Sequence, residues 1–137
     1  MNPHTAHLSR HDVQRLTRLI ENIAPSGRDA EHLERLIDKL QAGEELQPRE
    51  VPKDLVTMHS VTLLLDTDSN RTMECTLVFP NGADASAGRI SVLAPLGTAL
   101  FGARVGELIE VDLPTGTRRW RVESLLYQPE AAGDFEL

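Results

Sequence analysis

The sequence predicts an α+β protein in which a short N-terminal antiparallel helical hairpin precedes an antiparallel sheet with one short helix. Two observations predict this class: apolar residues recur at helical spacing over residues 8–43, and they alternate at strand spacing after Leu55. The stretch between them, residues 44–54, is acidic, contains two prolines and has little apolar content. We therefore expect two parts, residues 1–47 and 48–137, that meet in this stretch.

The first helix of the hairpin begins at a capping signal. Ser9 is a good N-cap residue, and Asp12 stands three positions later, where its side chain can reach back to the Ser9 amide. Leu8 and Val13 have the spacing of a hydrophobic staple. The apolar stripe that follows consists of Val13, Leu16, Leu19, Ile20 and Ile23. The sequence PSG at residues 25–27 ends this helix.

The second helix returns alongside the first. Ser26 or Asp29 can cap it, and Gly43 ends it. Its apolar stripe consists of Leu33, Leu36, Ile37 and Leu40. So short a loop requires antiparallel helices, and arms of about 15 residues reach only about 21 Å. Because an isolated pair of this length is marginally stable, we expect its base to pack on the rest of the protein.

The apolar pattern in the second part of the chain predicts five strands and one helix. The alternating apolar sets are Val61, Leu63, Leu65; Met73, Cys75, Leu77, Phe79; Ile90, Val92; Ile109, Val111, Leu113; and Trp120, Val122, Leu126. Val56 and Met58 have the opposite phase to the first set, which predicts a bulge near His59 and Ser60. Pro95 starts a short helix that Gly102 ends, and this helix can cover one face of the sheet.

Composition argues against several classes of function. The net charge of −7 does not suit a protein that holds nucleic acid by neutralising phosphates, and the basic residues Arg118, Arg119 and Arg121 alternate with Trp120 as the wet face of a strand. Cys75 is the single cysteine and falls in an alternating strand, which indicates a core thiol. The histidines are scattered and the glycines form no nucleotide-binding fingerprint. We expect no cofactor, no metal site and no catalytic residue.

The chain also lacks the marks of a membrane protein. No apolar run approaches about 18 residues, and the N-terminus has no apolar core of a signal peptide. We therefore expect a monomeric protein in the cytoplasm that has no contact with a membrane.

Several short motifs in order resemble a known family. In residues 90–127 a strand is followed by AP (94–95), ALFG (99–102), GE (106–107) and PTG (114–116). This order is similar to the C-terminal domain of the bacterial Gre transcript-cleavage factors, and VTMHS at residues 56–60 resembles the start of that domain. The resemblance implies an FKBP-like domain that docks on RNA polymerase beside its secondary channel. The docking loop that it implies consists of Leu93, Ala94, Pro95 and Leu96.

The hairpin tip decides between two functions within this family. Gre factors carry an Asp-x-x-Glu pair at the tip of a hairpin about twice as long, and the pair helps the polymerase hold a metal ion. Here the tip residues are Ser26, Arg28, Asp29 and Glu31, and the position three residues after Asp29 is a histidine. The hypothesis we favour is a polymerase-binding modulator that competes with Gre factors without transcript cleavage. Two alternatives stay open: a weak cleavage factor that uses Asp29, Glu31 or Glu34, and a regulator that acts on nucleoside diphosphate kinase.

Overall fold

The structure is a computed structural model that describes residues 7–21, 28–47 and 50–133. Two helices, α1 (Arg10–Glu21) and α2 (Arg28–Ala42), occupy the region where the sequence predicted a hairpin, and they are called the hairpin below. Leu16 of α1 and Leu36 of α2 are fully buried. The α2 helix ends at Ala42 because Gly43 follows, as the sequence predicted, and the Gly43 amide donates to the Lys39 carbonyl at 2.9 Å.

The two ends of the hairpin are joined by a small sheet that the sequence did not predict. Strand β1 (His7–Ser9) pairs in parallel with β2 (Glu44–Leu46), which lies in the stretch expected to be a linker. Gly43 makes this close approach possible, because a Cβ at this position would stand 2.4 Å from Cδ1 of Leu8. The chain therefore enters and leaves the hairpin through one paired base.

The main sheet comprises five strands within residues 50–133, in the order β5-β4-β3-β7-β6. Their bounds are β3 Val61–Asp66, β4 Arg71–Val78, β5 Arg89–Ser91, β6 Leu108–Leu113 and β7 Gly116–Tyr127. Helix α3 (Pro95–Leu100) contacts β5 and β6, and helix α4 (Pro129–Ala132) follows the last strand. This arrangement confirms the α+β class.

The expectation of a purely antiparallel sheet was wrong at one edge. The pairs β3–β4, β3–β7 and β6–β7 are antiparallel, whereas β4 and β5 run in parallel. The physical reason is the connection between them: residues 79–88 form two 3₁₀ turns instead of a tight hairpin, and they return the chain to the start of the neighbouring strand.

Three of the four apolar residues of β3, Val61, Leu63 and Leu65, are half-buried, while Thr62 and Leu64 on the other face are buried. The predicted change of phase was therefore wrong, because the buried residues Met58 and Ser60 continue the alternation of Thr62 and Leu64. The backbone is irregular near the predicted place, since His59 is left-handed with φ of 67°. A further difference lies in β7, where Leu126 is 53% exposed because its pairing with β3 shifts register.

One cluster of buried residues extends through both parts of the chain. It contains Leu8, Leu16 and Leu36 from the hairpin side, together with Met58 and Phe101 from the sheet side. The expected packing of the hairpin base on the rest of the protein is therefore present. The division into residues 1–47 and 48–137 stays a prediction about how the chain would fold in pieces.

Candidate functional site

The loop that the sequence singled out as a docking loop lies between β5 and α3. Its four residues, Leu93 to Leu96, are all half-buried. Leu93 and Leu96 pack against the core cluster, while Ala94 is the N-cap of α3 and Pro95 is its first residue. A proline fits this first helical position because its missing amide hydrogen would have no partner there. The loop therefore presents small, apolar groups on a constrained backbone.

Hydrogen bonds on both sides of the loop hold its shape. Oγ of Ser91 accepts from the Leu93 amide at 3.1 Å, and the Ser91 carbonyl accepts from the Ala94 amide at 3.0 Å. On the helix side, the Thr98 hydroxyl donates to the Val92 carbonyl at 2.7 Å. These bonds satisfy the amides of Leu93 and Ala94 and the carbonyl of Val92, and so hold the backbone that leads into α3.

Gly97 is required by the close approach of α3 to the end of β5. A Cβ on Gly97 would lie 1.9 Å from the carbonyl oxygen of Ser91, a distance at which the backbone would have to move. A glycine inside a helix weakens it, so its presence here reflects packing and not helix propensity. The loop is thus held against the sheet by a contact that no other residue type fits.

Lys39 connects the hairpin to the far end of α3. Its Nζ donates to the carbonyl of Thr98 at 2.7 Å and to that of Ala99 at 3.3 Å. Carbonyls in the last turn of a helix lack partners within the helix, and a cation suits them. Burial lowers the pKa of Lys39 to about 8, although the charge of Glu107 acts in the opposite direction. A lysine in the last turn of α2 is a weak signal, and it did not suffice to predict this contact from the sequence.

A cavity of about 200 Å³ lies beside Pro95, between α2, α3 and β6. Arg35 and Glu110 contribute charged groups to its lining, and Val111 and Ala99 contribute apolar groups. Arg35 also approaches Asp112 at 3.9 Å, but both side chains are largely exposed, so this ion pair adds little stability. The arrangement offers a surface for contact.

The side chains at the tip of the hairpin, which could serve as metal ligands, are not among those that the structure describes. Ser26 lies outside the described residues, and for Arg28, Asp29 and Glu31 the structure describes the backbone of α2 and not the side chains. Because α2 begins at Arg28, Asp29 is the second helical residue and not the N-cap that the sequence predicted. In the described parts of the chain, no group of three or more His, Cys, Asp or Glu side chains could hold a metal ion.

The arginines of β7 are each paired with an acid. Arg118 pairs with Asp66, Arg119 Nε lies 2.9 Å from Glu110, and Arg121 lies 3.8 Å from Glu123. These contacts reduce the positive charge that the strand offers to a phosphate backbone. Cys75 is buried, and burial raises the pKa of its thiol to about 11, which suits a core residue and not a nucleophile.

Asp12 has a different role from the one predicted. Its Oδ2 accepts from the Met58 amide at 2.9 Å and its Oδ1 accepts from Arg15 at 2.6 Å, so it does not form a capping box with Ser9. The Ser9 hydroxyl is buried without a hydrogen-bond partner in the described residues. The neighbouring Thr57 donates to Glu130 of α4 at 2.7 Å. Sequence spacing identified Asp12 as a partner of Ser9, whereas its partners are Arg15, three residues away, and the Met58 amide, 46 residues away.

Comparison with known proteins identifies the family of this chain. Residues 51–127 match the family described as "Transcription elongation factor, GreA/GreB, C-term". The chain is 38% identical over 128 residues to the "Regulator of nucleoside diphosphate kinase" of Escherichia coli, covering 92% of each protein. It is 38% identical over 77 residues to a transcription elongation factor GreA of Chloroherpeton thalassium, covering 56% of this chain and 49% of that protein.

A solved structure gives the same assignment. The "Prokaryotic transcription elongation factor GreA/GreB from Nitrosomonas europaea" superposes with a TM-score of 0.73 and 35% sequence identity, covering 90% of this chain and 98% of that one. Among the described helices, none is both long and apolar enough to cross a membrane. The family match spans the whole region from the Asp12 contact at Met58 to the last strand, and includes the loop at Pro95. The chain therefore belongs to the GreA/GreB family, whose shared feature is the C-terminal domain of these transcription elongation factors.

Proposed function

We propose that this protein binds bacterial RNA polymerase through the loop of Leu93 to Leu96 and modulates transcription without stimulating transcript cleavage. The observation that carries the proposal is the match of residues 51–127 to the GreA/GreB C-terminal domain, with the loop inside it. The proposal includes an FKBP-like arrangement of that domain, a short coiled coil in the hairpin, and a monomer in the cytoplasm that binds the polymerase and makes no specific contact with nucleic acid.

The constrained backbone of the loop supports a docking role. Pro95 fixes one backbone torsion, and the hydrogen bonds from Ser91 and Thr98 hold the residues on either side. Small and apolar side chains on such a backbone lose little conformational entropy on binding. A partner surface with a shallow apolar recess would therefore gain affinity from this loop without having to order it first.

The length of the hairpin supports the absence of cleavage. The α1 helix has 12 residues and α2 has 15. At 1.5 Å per residue, the arms are about 18 and 22 Å long. A carboxylate pair that shares a metal ion must reach the scissile phosphodiester. Arms half as long as those of Gre factors leave the tip short of that position, and His32 stands where the second carboxylate of the family would be.

Competition with Gre factors follows from a shared docking place. Two proteins whose C-terminal domains bind the same rim of the polymerase cannot occupy it together. The weaker of two such competitors is displaced when the concentration of the other rises. A protein that docks but does not cleave would thus act as an inhibitor of Gre-stimulated cleavage.

A charged substitution at Pro95 tests the docking loop. Pro95→Glu should weaken binding to polymerase core enzyme by more than about tenfold, measured by biolayer interferometry with the full-length chain. Pro114→Glu is the matched control, because Pro114 is an exposed proline in the turn between β6 and β7, and it should bind as the wild type does. Circular dichroism would show that both variants are folded. Equal affinity of Pro95→Glu and wild type would mean that the loop is not the docking element.

A cleavage assay with backtracked elongation complexes tests the second half of the proposal. The wild-type protein alone should leave the transcripts intact. Added together with GreA, it should slow GreA-stimulated cleavage, and more GreA should restore the rate. Metal-dependent cleavage by the protein alone, lost in Asp29→Ala or Glu31→Ala, would establish the alternative of a weak cleavage factor.

A second candidate function has its own observation. The name of the relative with 38% identity over 92% of the chain describes a regulator of nucleoside diphosphate kinase. If this protein acts directly on such a kinase, adding it to the purified enzyme should change the rate of phosphate transfer, and a pull-down should retain the kinase in the absence of polymerase. If neither occurs, any effect on the kinase must pass through transcription.

A further inference from the structure

An open cavity of about 620 Å³ lies between the hairpin and the sheet, and residues 93–96 are not among those that line it. Helix α1 forms one wall with Arg15, Arg18 and Leu19. The other wall comes from the sheet part, with His59 at the irregular start of β3 and residues 79–81 just after β4. A volume of several hundred cubic ångströms is typical of sites for small molecules.

The walls combine apolar surface with cationic groups. Arg15 and Arg18 are three residues apart in α1, so both project from the same side of the helix. Leu19, Phe79 and Pro80 contribute apolar surface, and the rings of Phe79 and His59 lie 5.6 Å apart between centroids. Asn81 adds an amide that can donate or accept. Such a lining suits a ligand with a flat apolar portion and a negative charge.

The guanidinium of Arg15 has hydrogen-bond donors that a ligand can use. It lies over the Phe79 ring, 4.9 Å from the centroid, and one terminal nitrogen donates to Asp12 at 2.6 Å. A guanidinium carries several N–H donors, and the contact with Asp12 uses a single terminal nitrogen. The donors that this contact does not use can bond an acceptor on a ligand.

The other titratable group in the walls does not oppose an anion. Burial lowers the pKa of His59, and the charge of Arg15 acts in the same direction, so the imidazole is neutral at neutral pH. Asp12 contacts this wall, and its Oδ1 is already bonded to Arg15. In a chain of net charge −7, a concave surface with two arginines is a local exception.

We propose that this cavity binds a small aromatic anion, that is, a flat ring that carries a phosphate, sulfonate or carboxylate group. The anion would be held by Arg15 and Arg18, and the ring would lie against Leu19 and Phe79. Because the two walls belong to the hairpin and to the sheet, the ligand would contact both parts of the chain. The proposal does not depend on polymerase binding, and its test contains no polymerase.

Naphthyl phosphate is a suitable probe because it combines both features and is fluorescent. Its dissociation constant for the full-length protein would be measured near neutral pH. Naphthol, which has the ring alone, and inorganic phosphate, which has the charge alone, would be measured in parallel. We expect naphthyl phosphate to bind at least about tenfold more tightly than either component. It should also shift the nuclear magnetic resonance signals of Phe79 and His59.

Charge variants on the two walls locate the site. Arg18→Glu and Asn81→Asp should each weaken the binding of naphthyl phosphate, the first by about tenfold or more. Arg121→Glu is the matched control, since it changes the net charge as Arg18→Glu does but lies in β7, outside the cavity lining. It should bind as the wild type does. Amide spectra of each variant would show that the fold is retained.

Three results would overturn the proposal. The first is the absence of saturable binding of naphthyl phosphate at millimolar concentration. The second is equal affinity for naphthol, which would mean that only apolar surface is recognised. The third is equal weakening by Arg18→Glu and Arg121→Glu, which would mean that net charge, and not this cavity, governs binding.

Discussion

Replacing Asp12 with asparagine is expected to stabilise the protein at neutral pH. Asp12 is 1% exposed, and its carboxylate accepts from the Met58 amide and from Arg15. Burial raises the pKa of this carboxyl from 3.8 to about 6, although both hydrogen bonds act to lower it. Asparagine has nearly the same shape, keeps an acceptor for the Met58 amide and carries no charge that must be desolvated.

The magnitude follows from linkage between protonation and folding. The pKa of the carboxyl is higher in the folded protein, so the contribution of Asp12 to stability is full below about pH 4 and is lost as the pH rises through about 6. The difference of about two pKa units corresponds to roughly 3 kcal/mol. At neutral pH the carboxyl is charged, and its burial lowers the free energy of unfolding by this amount. Asp12→Asn should recover most of it. The pKa of Asp12 already includes the effect of its ion pair with Arg15, so the loss of this pair adds no separate cost.

Urea denaturation between about pH 4 and pH 8 measures the effect. Asp66 and Asp84 have lowered pKa values and change stability in the opposite direction, so the quantity to compare is the difference between variant and wild type at each pH. That difference should grow from near zero at pH 4 to roughly 3 kcal/mol above pH 6. Asp12→Ala is the control, since it removes the acceptor and should be less stable than Asp12→Asn by about 1–3 kcal/mol.

Two results would refute this reasoning. One is an Asp12→Asn protein that is less stable than wild type at pH 7 with an unchanged denaturant slope. This result would mean that the interactions of the charged carboxylate stabilise the fold by more than its burial destabilises it. The other is a difference that does not vary with pH, which would mean that the carboxyl has an ordinary pKa in the folded protein.

Three further predictions test the packing around α3 and in the sheet. Gly97→Ala should lower the free energy of unfolding by about 1–3 kcal/mol or more, because its Cβ would meet the Ser91 carbonyl, whereas Gly82→Ala, with its nearest contact at 3.6 Å, should change little in the same melting experiment. Lys39→Met should speed amide hydrogen exchange in the last turn of α3, and unchanged exchange would show that the contact does not stabilise the helix. Cys75 should react with an aromatic disulfide reagent only as fast as the protein unfolds, since burial raises its pKa to about 11; faster reaction in the folded state would contradict its place in the core.

Local patterns in the sequence were enough to predict the elements with strong periodicity. The apolar stripes of α1 and α2, the stop at Gly43 and the alternation in β4 and β7 each correspond to an element of the structure. Alternation gives the period of a strand but not which of its faces meets the core. Val61, Leu63 and Leu65 show this limit, because the core is formed by the opposite face of β3.

Elements that depend on long-range pairing could not be predicted in this way. Strands β1 and β2 have three residues each, with no alternation long enough to recognise, and they form because the hairpin brings them together. The parallel pairing of β5 with β4 likewise depends on the path of residues 79–88 and not on the composition of β5. The order of short motifs around Pro95 identified the family where periodicity alone could not.

The buried charges of the hairpin explain why two short helices have a fixed place in this protein. Helices of 12 and 15 residues are marginal alone, and each arm here has one charged side chain bonded to backbone of the sheet part. Asp12 of α1 accepts from the Met58 amide, and Lys39 of α2 donates to the carbonyls at the end of α3. The second contact lies on α3, whose first residues belong to the docking loop. The direction of the hairpin and the shape of the loop are therefore determined together. If the loop binds polymerase as proposed, this coupling would keep the hairpin in one orientation while the loop is bound.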